Sequence, residues 1–189
     1  MRFAVFASGN GSNFERIIEV VEQGKISGEL VCLFSDQKDA FAIERAKNHH
    51  IPYYVLPKSE EMSKSEYEAQ IIALLEKENI ELIVLAGYMK ILGITLLRAY
   101  PKRIINLHPS LLPLFPGKQG IQDAYEAEVK ETGITIHLVD EGIDTGPIIF
   151  QKSLKLAENE TLESLETSIH ELEHEYYPKI IEEFIRENK

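Results

Sequence analysis

An apolar run, Phe3-Ala4-Val5-Phe6-Ala7, stops at Ser8-Gly9-Asn10-Gly11 and is followed by a segment of different rhythm. From Asn13 to Gln23 the apolar residues fall at Phe14, Ile17, Ile18 and Val21, the spacing of one helix face. A second apolar run then spans Leu30 to Phe34. Both runs are apolar at successive positions, so neither side of the strands they form can face water. A sheet covered on both faces meets that demand, and a helix crossover lets neighbouring strands run parallel.

The alternation continues. Ala40 to His49 predicts a helix and Pro52 to Leu56 a short extended piece. Tyr67, Ile71, Ile72, Leu74 and Leu75 mark a helix ending near Asn79. Leu82 to Ala86 predicts a strand closed by Gly87, Ile91 to Ala99 a helix, and Arg103 to Asn106 a short strand. After about residue 118 the rhythm changes. Gln119 to Val129 has helical spacing, and Gly133 to Val139 alternates. Ile134, Ile136 and Leu138 take one side there, Thr135 and His137 the other. Pro147 to Leu156 predicts its antiparallel neighbour. Thr161 opens a long last helix, with Glu163 or Ser164 in its first turn. The expected fold is α/β: a mostly parallel open sheet, helices on both faces, and a C-terminal antiparallel extension.

With 189 residues, 44% of them hydrophobic, the chain suits a single domain, residues 1–189. Its net charge of -11 argues against general nucleic-acid or anionic-membrane binding, which needs basic patches. A small local anion pocket stays compatible. The single cysteine, Cys32, sits inside an apolar run and reads as a buried strand residue, and no Cys/His metal spacing is present. The opening strand is too short for a signal peptide and no segment is apolar enough to span a bilayer, so the cytoplasm is the expected compartment.

Four stretches could carry chemistry. Ser8-Gly9-Asn10-Gly11-Ser12-Asn13 joins strand to helix and suits a phosphate held by backbone N–H groups; it reads equally as a turn with Asn10 or Ser12 as helix cap. Asn106 and His108, two apart in an extended run, share a face, and Pro109 keeps His108 extended. An amide N–H and an imidazolium can both stabilise an oxyanion. The loop Asp140 to Pro147 holds three carboxylates, one of which could sit beside His108 and favour its charged form; an acidic hairpin loop is the alternative. His170-Glu171-Leu172-Glu173-His174 has the i, i+4 histidine spacing of a zinc helix but no evident third ligand. It reads as an exposed charged face, or as a glutamate meeting a substrate amine or hydroxyl. His49-His50 fits a helix end, and His137 a supporting position.

Together, "FASGNGSNF", "LAGYMKIL", "INLHPSLLPLFPG", "GITIHLVDEGIDTGPII" and "EHEYYP" resemble the phosphoribosylglycinamide formyltransferases, folate-dependent enzymes of purine synthesis. The resemblance runs nearly end to end. It implies a Rossmann-like formyltransferase fold, with Asn106, His108 and Asp144 as catalytic residues. It implies that Gly11, Ser12, Asn13, His170 and Glu173 meet glycinamide ribonucleotide. It also implies a folate pocket of Met89, Lys90, Ile91, Leu92 and Asn106 with the loop Val139, Asp140, Glu141, Gly142, Ile143 and Asp144. It implies that Lys64 meets a substrate or the folate tail, where relatives have a basic residue, and Lys90 replaces a frequent arginine. The implied co-substrate is 10-formyltetrahydrofolate, with no metal, no nucleic acid and no membrane, in a monomer or homodimer. The catalytic domain stands without the regulatory or tRNA-binding domains of some relatives. A deformylase, using water in place of the amine, and a non-enzymatic nucleotide-binding module are the competing readings.

Overall fold

Seven strands and six helices make up the computed structural model, which describes residues 1–189. In chain order they are β1 (Arg2–Phe6), α1 (Ser12–Glu22), β2 (Glu29–Ser35), α2 (Phe41–Asn48), β3 (Tyr53–Val55), α3 (Lys64–Lys77) and β4 (Leu82–Leu85). Then come α4 (Ile94–Ala99), β5 (Ile104–His108), α5 (Gly120–Glu126), β6 (Glu131–Leu138), β7 (Ile148–Lys155) and α6 (Leu162–Glu187). One sheet contains all the strands, in the order β3-β2-β1-β4-β5-β6-β7. Pairings from β3 through β5 are parallel, and β5–β6 and β6–β7 are antiparallel. The expected sheet, its coverage and its antiparallel extension are all present.

The central strands are buried on both sides, as their unbroken apolar runs require. Phe3, Val5, Leu33 and Val84 face a core shared with α1, α2 and α6; Ala4, Phe6, Cys32 and Ile83 face a second core under α3 and α4. Phe14, Ile17 and Ile18 close α1 onto the first core with no more than 1% of their surface exposed. Truncating Phe14 to alanine there would cost about 3–5 kcal/mol.

Several boundaries differ from the sequence expectation. β5 runs two residues past Asn106, because β6 pairs with it on the far side and keeps His108 in register opposite Thr135. α4 begins at Ile94, not Ile91: Gly93 takes the N-cap, and the three residues before it stay irregular. α5 is shorter than predicted. α3 starts at Lys64 behind a full capping box of Ser63 and Glu66, and Thr161 and Ser164 form another at α6.

α6 carries Pro178 in its interior. Proline has no N–H, so the carbonyl of His174 loses its helical donor. The Arg16 side chain on α1 supplies one, its Nε 3.3 Å from that carbonyl oxygen. Nearby, the buried Tyr177 hydroxyl donates to the carbonyl of Leu85 at 2.7 Å, tying α6 to the end of β4.

Candidate active site

The chain runs from β1 outward to β2 and β3, then returns to the other side of β1 with β4. In an open parallel sheet that reversal leaves a crevice beyond the strand ends, where the two sets of crossovers part. A cavity of about 610 Å³ lies there. Its walls are the loop after β1, the segment after β4, the end of β5, the loop between β6 and β7, and one turn of α6. Asn106, His108 and Asp144, far apart in sequence, all line it.

His108 is 3% exposed. Its Nε2 lies 2.7 Å from the carbonyl oxygen of Phe115, which only accepts, so Nε2 carries a proton. Its Nδ1 faces Asp144 Oδ2 at 3.4 Å. That is longer than a charge-assisted hydrogen bond of about 2.8 Å, so the carboxylate stands beside Nδ1 without fully occupying it. The expected carboxylate neighbour of His108 is therefore Asp144, which also accepts from the Gly117 N–H at 2.8 Å. Burial pushes the Asp144 carboxyl up. The Gly117 N–H and the charge of His108 outweigh it, and the net position is below the usual carboxylate range. Asp144 sits at φ +55°, a left-handed conformation uncommon outside glycine.

His137 was only a supporting candidate in the sequence, and it proves central to the geometry. The antiparallel register sets it opposite Asn106. Its Nδ1 lies 2.8 Å from the Leu138 carbonyl, so that nitrogen donates. Its Nε2 is then left to accept from Asn106 Nδ2 at 3.2 Å, with Asp144 Oδ1 3.6 Å away. Asn106 Nδ2 has two protons, so one remains for the cavity. The signal for this partner was the alternation that put His137 on the Thr135 side; the cross-strand register was not readable from sequence.

At the other end, Gly11 caps α1 in the left-handed conformation at φ +75°, and no side chain bonds back to the helix. The expected cap by Asn10 or Ser12 is not made. Arg45 of α2 instead holds Asn10, with Nε and Nη2 each 2.9 Å from its carbonyl and side-chain oxygens. The first N–H groups of α1 thus stay open toward the cavity, which suits an anion. Gly11, Ser12 and Asn13 line it together with His170 and Glu173. Glu173 is 4% exposed, which corrects the reading of this helix turn as a solvated charged face. Its Oε2 accepts from Asn13 Nδ2 at 3.0 Å and pairs with His170 Nδ1 at 2.8 Å. That contact raises the pKa of His170. Asn13 Oδ1 is buried without a partner.

Met89, Lys90, Ile91 and Leu92 line the same cavity, as do Val139, Asp140, Gly142 and Ile143. Glu141, in the same loop, is exposed and is not part of this lining. Lys64 is not on this wall either. It lines an adjoining cavity of about 410 Å³ with Lys58, Lys90 and Lys118, separated from the first by the 89–92 segment. In a chain of net charge -11, these lysines give one edge of the crevice the opposite sign. Among His, Cys, Asp and Glu, no group of three is arranged to hold a metal ion.

An open sheet with an amide, a histidine and a carboxylate converging beside a helix start with open N–H groups suits acyl-type transfer between two small molecules. The chain belongs to the formyl transferase family, whose pattern matches residues 1–181. More narrowly, it is 50% identical over 185 residues to the phosphoribosylglycinamide formyltransferase of Bacillus subtilis, covering 97% of this chain and 94% of that one. The crystal structure of phosphoribosylglycinamide formyltransferase from Bacillus halodurans superposes with a TM-score of 0.96 at 45% identity, over 100% of this chain and 97% of that one. Glycinamide ribonucleotide transformylase 1 from Geobacillus kaustophilus gives 0.94 at 45% identity, over 97% of both chains. No helix is long and apolar enough to cross a membrane.

Proposed function

We propose that this formyl transferase moves the formyl group of 10-formyltetrahydrofolate to the amine of glycinamide ribonucleotide, a step of purine synthesis. The observation that carries the reading is the placement of Asn106, His108 and Asp144 between an anion-binding helix start and an open backbone segment. The phosphate sits on the N–H groups of Gly11, Ser12 and Asn13. Glu173, with Asn13 Oδ1, takes donor groups of the same substrate. The ring system of the folate lies along Met89 to Leu92 and the Val139 to Asp144 loop.

The amine nitrogen attacks the formyl carbon, and the carbonyl electron pair moves onto oxygen. The free N–H of Asn106 and the Nδ1–H of His108 stabilise that oxygen, and one well-placed donor contributes about 3–4 kcal/mol. His108 keeps its Nε2–H on the Phe115 carbonyl, so the ring does not swing as charge develops. Asp144 compensates the imidazolium and takes up the amine proton through a water. Collapse of the intermediate re-forms the carbonyl and breaks the bond to the folate nitrogen, which receives a proton from His108. Proton release and proton delivery balance, so neither a metal nor a covalent enzyme intermediate is needed. The reading treats residues 1–189 as one domain, supported by the single continuous sheet, and assigns it to the cytoplasm.

The test is an assay with 10-formyltetrahydrofolate, with and without glycinamide ribonucleotide, following tetrahydrofolate and formate separately. Amine-dependent tetrahydrofolate release without formate supports the transferase. Formate released without the amine would make it a deformylase.

A further inference from the structure

Two buried carboxylates take no part in the chemistry above. Asp36, just past β2, is 2% exposed, and Glu68 on α3 is 3% exposed. Both reach the segment after β4. The Ser8 hydroxyl donates to Asp36 Oδ1 at 2.6 Å and accepts the Met89 N–H at 2.9 Å. A hydroxyl has one proton to give, so the carboxylate fixes its direction and leaves its lone pair for Met89. At the other end, Glu68 accepts from the Gly93 N–H and, at 3.0 Å, from the Leu96 N–H. A Cβ on Gly93 would lie 2.7 Å from Glu68 Oε1, so glycine is what admits the carboxylate. Lys90 lies between the two anchors, 3.8 Å from Asp36 Oδ2 and 5.6 Å from the Tyr67 ring centre.

Between these anchors the backbone is irregular, and the N–H groups of Lys90, Ile91 and Leu92 make no hydrogen bond within the protein. Unpaired backbone groups beside a cavity ordinarily solvate and fluctuate. Here they are held at one end by the charge-assisted bonds to Glu68 and at the other by a hydroxyl that Asp36 orients.

We propose that Asp36 and Glu68 are positioning residues that stretch Met89–Leu92 into a fixed row of donors and acceptors for the edge of the folate ring. Asp36 acts through Ser8, so it also links this row to the start of the phosphate loop. The proposal rests on the folate reading above.

The experiment measures binding of 10-formyl-5,8-dideazafolate by calorimetry, KM for both substrates, kcat and thermal unfolding. The variants are Asp36→Ala, Asp36→Asn, Glu68→Ala and Glu68→Gln. The alanine variants are expected to weaken the folate analogue at least tenfold, with the KM of the phosphorylated amine and the saturated kcat within about threefold. Asp36→Asn keeps an acceptor for Ser8 and is expected to restore most of the affinity. Glu68→Gln keeps one acceptor of two and falls between Glu68→Ala and the unaltered chain. Equal weakening of both substrates, or loss of thermal stability without a change in folate affinity, overturns the proposal. So does folate affinity unchanged in every variant. If the unaltered chain itself fails to bind the analogue, the folate reading fails, and the positioning proposal with it.

Discussion

Gly11→Ala puts the phosphate loop to a direct test, because two separate penalties converge on one methyl group. At φ +75° an L side chain pays about 1–2 kcal/mol for the left-handed conformation. The new Cβ would also lie 2.7 Å from Ala42 Cβ and 2.9 Å from Ala42 Cα, so α2 and the loop must part by roughly 0.7 Å to reach ordinary contact. Such overpacking costs about 1–3 kcal/mol. The sum is about 2–5 kcal/mol, which a domain of this size survives, with melting lowered by roughly 4–20 °C. The functional effect is sharper. A displacement approaching 1 Å at the N–H groups that hold a phosphate costs about 100-fold. The expected outcome is a KM for the phosphorylated amine raised 10- to 100-fold, with the KM for the folate unchanged. Adding Ala42→Gly removes the closer contact but not the Cα, and should recover part of the affinity. A Gly11→Ala enzyme that melts early yet binds the phosphorylated amine normally would refute the assignment of this loop to phosphate.

His108→Ala is expected to lower kcat about 10²–10³-fold while leaving the folate KM within threefold, read by steady-state kinetics. Asp144 has a folded-state pKa below its unfolded value, so it stabilises the fold above that unfolded value and loses the contribution as pH falls through the folded one. The melting difference between the unaltered chain and Asp144→Asn should therefore be largest near neutrality and shrink in acid. Arg45→Lys loses the two-pronged grip on Asn10 and should raise KM for the phosphorylated amine, but not for its dephosphorylated form, by about tenfold. Tyr177→Phe removes the hydroxyl's tie to the Leu85 carbonyl, which keeps its place in the β4–β5 ladder, and should cost about 0.5–1.5 kcal/mol in denaturant unfolding.

The sheet was legible because burial on both faces leaves an unbroken apolar signature, as in Leu82 to Leu85, and helices leave a different one. The pairing of Asn106 with His108 on one face was legible from period two alone. Contacts set by register or by distant helices left no such trace. His137 meets Asn106 only because β6 pairs antiparallel with β5 in one particular register. For Glu173 the sequence leaves a charged helix face and a substrate contact both open, since its burial depends on how α6 lies against α1. Asn10 looked like a helix cap, and local spacing cannot register that Arg45, 35 residues on, takes both its oxygens. Asp36 carries no signal in the sequence, and nothing local shows that Ser8 joins it to Met89, because the three residues come from three different strand ends.

The hydrogen bond from Asn13 to Glu173 joins residues 160 positions apart. During synthesis β1 and the start of α1 leave the ribosome early, at a pace of about 5–20 residues per second. The α1 end of the cavity then waits roughly 8–30 s for its other wall at those rates. Nascent chains stopped short of α6 can hold strands and an exposed crevice, but not this closed end. Ribosome-bound chains of increasing length would therefore gain affinity for the phosphorylated amine abruptly once α6 has emerged and docked, not in proportion to how much of the sheet has formed.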